Sequence, residues 1–272
     1  MAKRIPRMDE IFAVAATHGA NSEAPHLWKD LVGAWPMQEG EGYRVYDVSG
    51  RGNHGMRSAW TPPVWCNTEI GKAAYFIHKN SIVTINPCIL PESPVRTLAV
   101  WMIADVSNVQ FRLSLYGSDG TNATLMGKYS TSLHPFYPYG NNDDTLGYAH
   151  ITDFVLSTTD WNFLAGVYQP GFVRGFVSGW GAKDANTYHG VRPTILKAVT
   201  SAEIGGSYTT NAHVWHRALP DSELWELYED PWAMYRIRPK VFRVAIIEAP
   251  PAVQIFSRRQ FGPRIGTRQV QV

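Results

Sequence analysis

The chain has 272 residues, a formal net charge of +2 at pH 7, and 18% charged residues. That length suits one large domain with additional segments, and it leaves room only for a small second domain. The charge balance does not indicate binding to nucleic acid or to an anionic membrane, and no apolar run approaches the roughly 18 residues that a membrane span requires. The 10 Trp, 13 Tyr, 23 Gly and 18 Pro favour short aromatic strands separated by many turns.

Residues 1–28 are predicted to form an N-terminal arm. They combine three basic residues with an alanine-rich stretch, and a short helix is predicted at Met8 to Thr17. The apolar stretch from Ile11 to Ala16 is about half as long as in a usual secretory signal, so no such signal is predicted.

From Leu31 onward, short apolar segments are bounded by Gly, Pro, Asn and Asp, which is typical of successive antiparallel strands. Thr97–Ile103 is apolar at both alternating sets of positions, so it is expected to be central and covered on both faces. A type II turn at Gln169-Pro170-Gly171 is predicted to join two strands into a hairpin. The predicted strands are Leu31–Trp35, Ala73–Ile77, Ser81–Ile85, Thr97–Ile103, Phe111–Tyr116, Thr124–Tyr129, Phe163–Tyr168, Phe172–Ser178 and Asn211–Trp215. Nine or more strands favour a two-sheet sandwich.

One helix is predicted after the last of these strands. Pro220 ends the strand and Asp221 can cap the helix. Leu224, Leu227 and Tyr228 share a face that can lie against the sandwich.

Residues 229–272 are predicted to form a basic tail. Two strand-like runs, Val241–Ile247 and Ala252–Phe256, are separated by two prolines. Such a tail has too few neighbours of its own to form a core, so it is expected to add strands to, or lie over, another subunit. Without regularly spaced aromatic residues it does not indicate nucleic-acid binding. The residues expected to dock onto an acidic partner surface are Trp232, Arg236, Arg238, Lys240, Arg243, Arg258 and Arg259.

The two cysteines, Cys66 and Cys88, flank a predicted strand pair and leave two alternatives open. A disulfide between them is geometrically conceivable. Two buried free thiols are the other alternative.

Five segments, in the right order, resemble the laminin-G-like (concanavalin-like lectin/glucanase) superfamily across residues 31–228. They are LVGAWP at 31–36 with EGEG at 39–42, YDVSGRGNHG at 46–55, TLAVW at 97–101, DWNFLAGVY at 160–168, and the run from IGG at 204–206 to HRAL at 216–219. The second segment matches the D-x-S-G-x-G-N-H-G signature and is the most specific. The resemblance implies an all-β fold, a two-sheet antiparallel jelly-roll sandwich with one short C-terminal helix and extended N- and C-terminal arms. The expected boundaries are 1–28 for the N-terminal arm, 29–228 for the sandwich and 229–272 for the docking tail.

A second, shorter resemblance concerns the segment LYEDPW at 227–232 and the Arg- and Pro-rich tail after it. These resemble the ends of laminin-G-like proteins encoded by tailed bacteriophages. The absence of a predicted export signal agrees with such an origin, because phage proteins assemble inside the host cell.

The signature loop also implies a calcium site. In many relatives its Asp binds the ion together with loop carbonyls and an acidic residue on the closing strand, and Asp47 and the carbonyl of Asn53 are the matching positions here. Thr210 and Asn211 stand where relatives tend to have an Asp-Glu pair, which weakens affinity for the ion. The alternative is a turn in which Asp47, Ser49 and Asn53 bond to the backbone. No cofactor other than calcium is predicted.

Aromatic residues near the loop end of the sandwich suggest a glycan-binding site. The candidates are Phe136, Tyr137, Tyr139, Trp180 and Tyr188. The alternative is that these rings fill the space between a long loop and the sheet.

Hydrolytic members of the superfamily are expected to carry two carboxylates roughly 5 Å apart on one sheet face. Glu39 and Glu41 lie among glycines in a predicted turn, while Glu223, Glu226 and Glu229 lie on the predicted helix. Neither set is expected to line a sheet face. The sequence therefore predicts no enzymatic activity.

These expectations lead to three candidate functions. The first is a non-enzymatic virion surface protein of a tailed phage, either a capsid decoration protein or an adhesion appendage, located on the virion after assembly in the host cytoplasm. Its termini would dock onto other virion proteins, and it would form a homo-oligomer. The second is a carbohydrate-binding, lectin-like module that binds cell-surface glycans with or without calcium. The third is a glucanase-like hydrolase.

Overall fold

A computed structural model describes residues 4–59, 61–77, 81–104, 112–117, 122–127, 148–150, 156–169, 172–179, 181–184, 187–189, 198–206 and 208–239. The chain divides into a compact unit, Met1–Pro239, and a second unit, Lys240–Val272. The second unit lies outside the described residues, and so do four of the predicted docking residues, Lys240, Arg243, Arg258 and Arg259.

The compact unit consists mainly of strands. Its α-helices are α1 (Met8–Ala15) and α2 (Asp221–Glu229), and single 3₁₀ turns cover Pro25–Trp28 and Ala233–Tyr235. The strands are β1 (Leu31–Trp35), β2 (Arg44–Val45), β3 (Gly55–Arg57), β4 (Val64–Thr68), β5 (Gly71–Tyr75), β6 (Ile82–Ile85), β7 (Arg96–Ile103), β8 (Arg112–Tyr116), β9 (Asn122–Gly127), β10 (Tyr148–His150), β11 (Asn162–Gln169), β12 (Phe172–Val177), β13 (Gly181–Asp184), β14 (Thr187–His189), β15 (Ser201–Gly205) and β16 (Tyr208–Trp215). No helix in the described part of the chain is long and apolar enough to cross a membrane.

The strands form two large antiparallel sheets, which confirms the predicted all-β sandwich. One sheet has eight strands in the order β13-β12-β11-β7-β16-β5-β4, with β1 also paired to β16, and the other has six in the order β2-β3-β6-β15-β8-β9. β10 and β14 form a separate pair. The predicted hairpin of the strands at 163–168 and 172–178 is present as the β11–β12 pair, in which Gln169 lies opposite Phe172. Its turn residues Pro170 and Gly171 lie outside the described residues.

The two sheets pack face to face around a hydrophobic cluster that we call the inner core. Leu98, Val100 and Met102 of β7 belong to it, as do Leu113 and Leu115 of β8. These side chains alternate along their strands, so they lie on one face of each sheet. The inner core is therefore the layer that the alternating sequence pattern predicts.

The opposite face of the eight-stranded sheet carries a second cluster, which we call the outer core. Trp101 of β7, Phe163 of β11 and Trp215 of β16 pack there with Ile11 of α1 and Leu224 of α2. β7 is thus covered on both faces, as its apolar residues at both alternating sets of positions predict.

The N-terminal residues, predicted to form an arm, are part of this outer core. The indole N–H of Trp28 donates a hydrogen bond to the Met234 carbonyl at 2.7 Å, and that of Trp215 donates to the Leu27 carbonyl at 2.7 Å. Ser22 forms a β-bridge with Ile237, so the two ends of the compact unit lie side by side.

Two of the predicted docking residues are buried and make their contacts within this chain, which corrects their assignment to a partner surface. Trp232 is 2% exposed, and its indole N–H donates to the Ile70 carbonyl at 2.9 Å. Arg236 pairs with Asp230 and, at 2.7 Å, with Glu23. Each group finds its partners in this chain, because the segment after α2 fills the uncovered face of the large sheet.

Both cysteines are free, so the thiol alternative agrees with the structure. Cys88 is buried between the sheets, and burial raises its pKa to about 12. A thiol that stays protonated is a poor nucleophile and a poor metal ligand.

Candidate functional site

The signature loop at residues 46–55 is organised by the buried carboxylate of Asp47. One of its oxygens accepts hydrogen bonds from the backbone N–H of Ala34 at 3.0 Å and of Ser49 at 2.9 Å. The other accepts from the Ser49 hydroxyl and from the Asn53 N–H, both at 2.9 Å. A carboxylate offers about four lone-pair positions, so all of them are occupied by donors of this chain.

The two oxygens of Asn53 also accept hydrogen bonds from this chain. Its carbonyl accepts from the Trp35 indole N–H at 2.8 Å, and its side-chain oxygen accepts from the Ile89 N–H at 2.9 Å. Gly50 and Gly52 have φ of +86° and +76°, values that favour glycine. The loop therefore matches the turn alternative, and Asp47 and Asn53 do not fit a calcium ion. In the described part of the chain, no three His, Cys, Asp or Glu side chains are grouped to hold a metal.

The side chains of the aromatic residues predicted to bind glycan all lie outside the described part of the chain. Phe136, Tyr137, Tyr139 and Trp180 lie outside the described residues. Tyr188 lies on β14, but only its backbone is described.

A cleft of about 470 Å³, lined by both polar and apolar side chains, lies elsewhere, at the edge of the large sheet. Three separate segments line it: the residues just before α1, the loop after β1, and the hairpin of β4 and β5. Its polar lining residues are Arg7, Gln38, Glu39, Asn67, Thr68 and Lys72. We call this site the edge cleft.

The floor of the edge cleft is fixed by Gln38. Its side-chain amide donates to the Lys72 carbonyl at 2.7 Å and accepts from the Lys72 N–H at 3.0 Å, so it binds β5 as a further strand would. Gly71 has φ of +112°, and a Cβ there would lie 2.9 Å from the Gln38 side-chain oxygen. Asn67 and Lys72 are cross-strand partners, and their side chains therefore share one face of the hairpin.

Glu39 presents a carboxylate with one unused oxygen. The first oxygen accepts from the Tyr46 N–H at 2.8 Å. The second is buried and has no hydrogen-bond partner among the described residues. Burial raises the pKa of Glu39 to about 7, although the Tyr46 hydrogen bond and the charge of Lys72 act in the opposite direction.

Lys72 supplies a positive charge beside this carboxyl group. Its ammonium donates to the backbone carbonyl of Glu39 at 3.3 Å, and no carboxylate of the described residues forms an ion pair with it. The ammonium lies against the backbone of Gly40, where any side chain would collide with it. The loop sequence Glu39-Gly40 therefore provides the carboxyl group and the space for the lysine together.

An aromatic cluster, formed by Tyr43 and Trp65, lies around Arg57 of β3. The guanidinium of Arg57 lies 5.2 Å from the ring centre of Tyr43 and 5.5 Å from that of Trp65. Tyr43 is 59% exposed. Trp65 precedes Asn67 by two residues on β4, so both side chains point to the same face of the strand.

The residues of the edge cleft were not identified from the sequence. Glu39 was assigned to a glycine-rich turn, and Asn67 and Lys72 were given no role. Trp65 and Asn67 are two residues apart, so they lie on the same face of β4, and Asn67 is paired with Lys72 on β5. This spacing is a signal from which the two polar side chains could have been placed near an aromatic ring.

Neither a protein-family model nor a curated protein matches the chain. Among solved structures, a Trypanosoma rangeli sialidase with 2,3-difluorosialic acid as a covalent intermediate aligns with a TM-score of 0.57 and 12% identity, over 84% of this chain and 39% of the sialidase chain. The receptor binding domain of the botulinum neurotoxin C/D mosaic serotype aligns with a TM-score of 0.50 and 8% identity, over 74% of this chain and 51% of that one. Domain 4 of AbnA, an arabinanase of Geobacillus stearothermophilus in complex with arabinotriose, aligns over 98% of its own length, but its TM-score of 0.49 is too low to carry an argument.

These likenesses show a β-sandwich fold shared with lectin-like and glycosidase-like chains. They correct one prediction: the exclusion of enzymatic activity was wrong, because the fold occurs in chains of sialidases. At 12% identity the likeness shows the fold alone, and the chain spans about two fifths of that sialidase. The predicted phage origin receives no support from these structures.

Proposed function

We propose that this chain is a carbohydrate-binding module and that the edge cleft is its binding site. One observation carries the proposal: the polar side chains of Glu39, Asn67 and Lys72 line one open cleft together with the apolar Ile5, Pro6 and Met8. Sugars need both kinds of contact, since their hydroxyl groups pair with polar side chains and their C–H faces pack on apolar ones.

The shape of the site supports the same function. A cleft of about 470 Å³ is within the range of small-ligand sites, and it is lined by amide, hydroxyl, carboxyl and ammonium groups. The sialidases of similar fold include one in complex with sialic acid. Sialic acid is the ligand of that sialidase and not a known ligand of this chain. The similar fold nevertheless makes glycans the first class of ligand to test for this chain.

Glycan-array screening followed by calorimetry of the best ligand tests the proposal. Replacing Asn67 or Thr68 with alanine is expected to weaken binding at least tenfold, which corresponds to roughly 1.4 kcal/mol. Ile89→Ala is the matched control, because this side chain is also exposed but does not line the cleft. A chain that binds no glycan, or that binds equally well after both cleft substitutions, contradicts the proposal.

Calcium removal gives a second expected result. Because donors of this chain occupy Asp47 and Asn53, a chelator is expected to leave the affinity unchanged. Loss of binding in the chelator, restored by added calcium, would place an ion in the site and contradict this expectation.

The location of such a module on a tailed-phage virion stays a prediction. Arg238 is exposed, unlike Trp232 and Arg236, and its backbone N–H donates to the Asn21 carbonyl at 2.7 Å. Docking to other subunits therefore depends on Arg238 and on residues beyond the described part of the chain.

A further inference from the structure

The charges around Glu39 identify the class of sugar that the edge cleft suits. Two cationic side chains line the cleft with Glu39, Lys72 from β5 and Arg7 ahead of α1. The buried phenol of Tyr235 interacts with Glu39 electrostatically. Arg7 pairs with Asp9 at 2.8 Å, and its side chain is 76% exposed, so most of it lies in water and not in the cleft. Lys72 is therefore the cation whose charge is available to a ligand.

The ammonium of Lys72 is held in place and keeps hydrogen-bonding capacity. An ammonium has three N–H donors, and one of them is directed at the Glu39 carbonyl. The backbone of Gly40 and the pairing of Gln38 with the Lys72 backbone restrict where the side chain can lie. A fixed cation with unused donors favours a carboxylate partner, because charge-assisted hydrogen bonds are about twice as strong as neutral ones.

The carboxyl group of Glu39 acts against such a ligand only when it is ionised. Ionised Glu39 places a negative charge beside Lys72, where it repels a bound anion. The protonated carboxyl group carries no charge, so this repulsion is absent and the charge of Lys72 stays available to the ligand. One proton on Glu39 therefore removes a repulsion without any direct contact between Glu39 and the ligand.

We infer that the edge cleft binds a sugar that carries a carboxylate, with Lys72 as the ion-pair partner of that carboxylate and with Glu39 beside Lys72 in its neutral form. The inference rests on the proposed carbohydrate-binding function and narrows it to acidic sugars.

Paired glycans test this inference with the full-length protein. Each sialylated oligosaccharide is compared with its desialylated form, and each uronic-acid oligosaccharide with its carboxyl-reduced form. The acidic member of at least one pair is expected to bind at least tenfold more tightly than the neutral member. Lys72→Met should remove that preference, so that the acidic and neutral members bind with similar affinity, and Lys29→Met, at an exposed lysine outside the cleft, should leave the preference unchanged.

The pH dependence tests the role of Glu39. With a pKa of about 7, Glu39 is about nine-tenths protonated at pH 6 and one-tenth at pH 8, so affinity for the acidic sugar should fall about tenfold as the pH rises between these values. Glu39→Gln keeps an oxygen acceptor for the Tyr46 N–H and cannot ionise. It should bind equally at both pH values, and its melting temperature shows whether it is folded.

The outcomes separate the two proposals. Equal binding of acidic and neutral members, or a pH dependence that persists in Glu39→Gln, overturns the inference and leaves the carbohydrate-binding proposal intact. Absence of binding to every glycan overturns both.

Discussion

The two faces of β7 differ in what covers them. On one face, Leu98 and Val100 meet the second sheet in the inner core. On the other, Trp101 meets helices and turns from the two ends of the compact unit in the outer core. The sheet is therefore the middle of three layers, and the third layer comes from segments that lie more than 200 residues apart in the sequence, such as Trp28 and Met234. Terminal segments that look like appendages can be structural parts of a sandwich.

The strongest test of this comparison is removal of the chain after Tyr228. The deletion removes Trp232, Met234 and Tyr235, which are buried in the outer core. Loss of one such side chain costs roughly 3–5 kcal/mol, and the sum approaches or exceeds the whole stability of a typical domain, roughly 5–15 kcal/mol. We expect the shortened chain to lose cooperative thermal unfolding, as followed by circular dichroism.

A chain ending at Pro239 is the matched control, because it retains every contact described for the compact unit. It should unfold cooperatively. If the chain ending at Tyr228 melts at the same temperature as this control, the outer core does not depend on its C-terminal segment.

A smaller effect is expected from the ion pair of Arg236 and Asp230. Their side chains are 9% and 8% exposed, so Arg236→Met leaves a buried carboxylate without its main partner. Breaking a buried pair from one side costs roughly 3–5 kcal/mol. In urea unfolding we expect a loss of that size for Arg236→Met and a smaller loss for the double variant with Asp230→Asn. Additive losses would mean that the two groups do not stabilise each other.

The mildest test compares two valines on the two faces. Val100 of β7 lies in the inner core and Val167 of β11 lies in the outer core, and both are buried. Replacing either with alanine removes two methyl groups, at about 0.8 kcal/mol for each group and a further amount for the cavity, so about 2 kcal/mol is expected from each. A loss below about 0.5 kcal/mol for Val167→Ala alone would show that the outer core is loosely packed.

The sequence predicted the strands with strong patterns and missed the short or polar ones. All nine predicted strands overlap strands of the structure. β2 and β3 have only two and three residues, and β4 carries Asn67 and Thr68 where a simple alternation expects apolar side chains. Pairing with a neighbouring strand stabilises such segments, and a local pattern does not contain that information.

The contribution of residues 232–235 to the outer core was not predicted, for a related reason. Trp232, Met234 and Tyr235 lie around a single 3₁₀ turn without the spacing of a helix or a strand. Their burial depends on a sheet face formed by residues far away in the sequence. Apolar residues in an irregular segment next to arginines therefore resembled a docking tail.

The edge cleft was missed because three distant segments form it. Arg7, Glu39 and Lys72 meet only after the β4–β5 hairpin and the N-terminal segment have packed. Glu39, just before Gly40, has the pattern of an exposed turn, yet its unused oxygen is buried. The signature loop, by contrast, had a turn among its two predicted alternatives, and the hydrogen bonds of Asp47 agree with that alternative, because the residues involved lie within about ten positions of one another.

The β-bridge between Ser22 and Ile237 has a practical consequence for engineering. The Arg236 guanidinium also donates to the Arg4 carbonyl at 3.4 Å, so the polypeptide enters and leaves the compact unit at one place. Neighbouring ends are what circular permutation and insertion into a host loop require. A short linker between residues 4 and 239 would close the ring, and new ends could then be opened in an exposed turn while both cores keep their contacts.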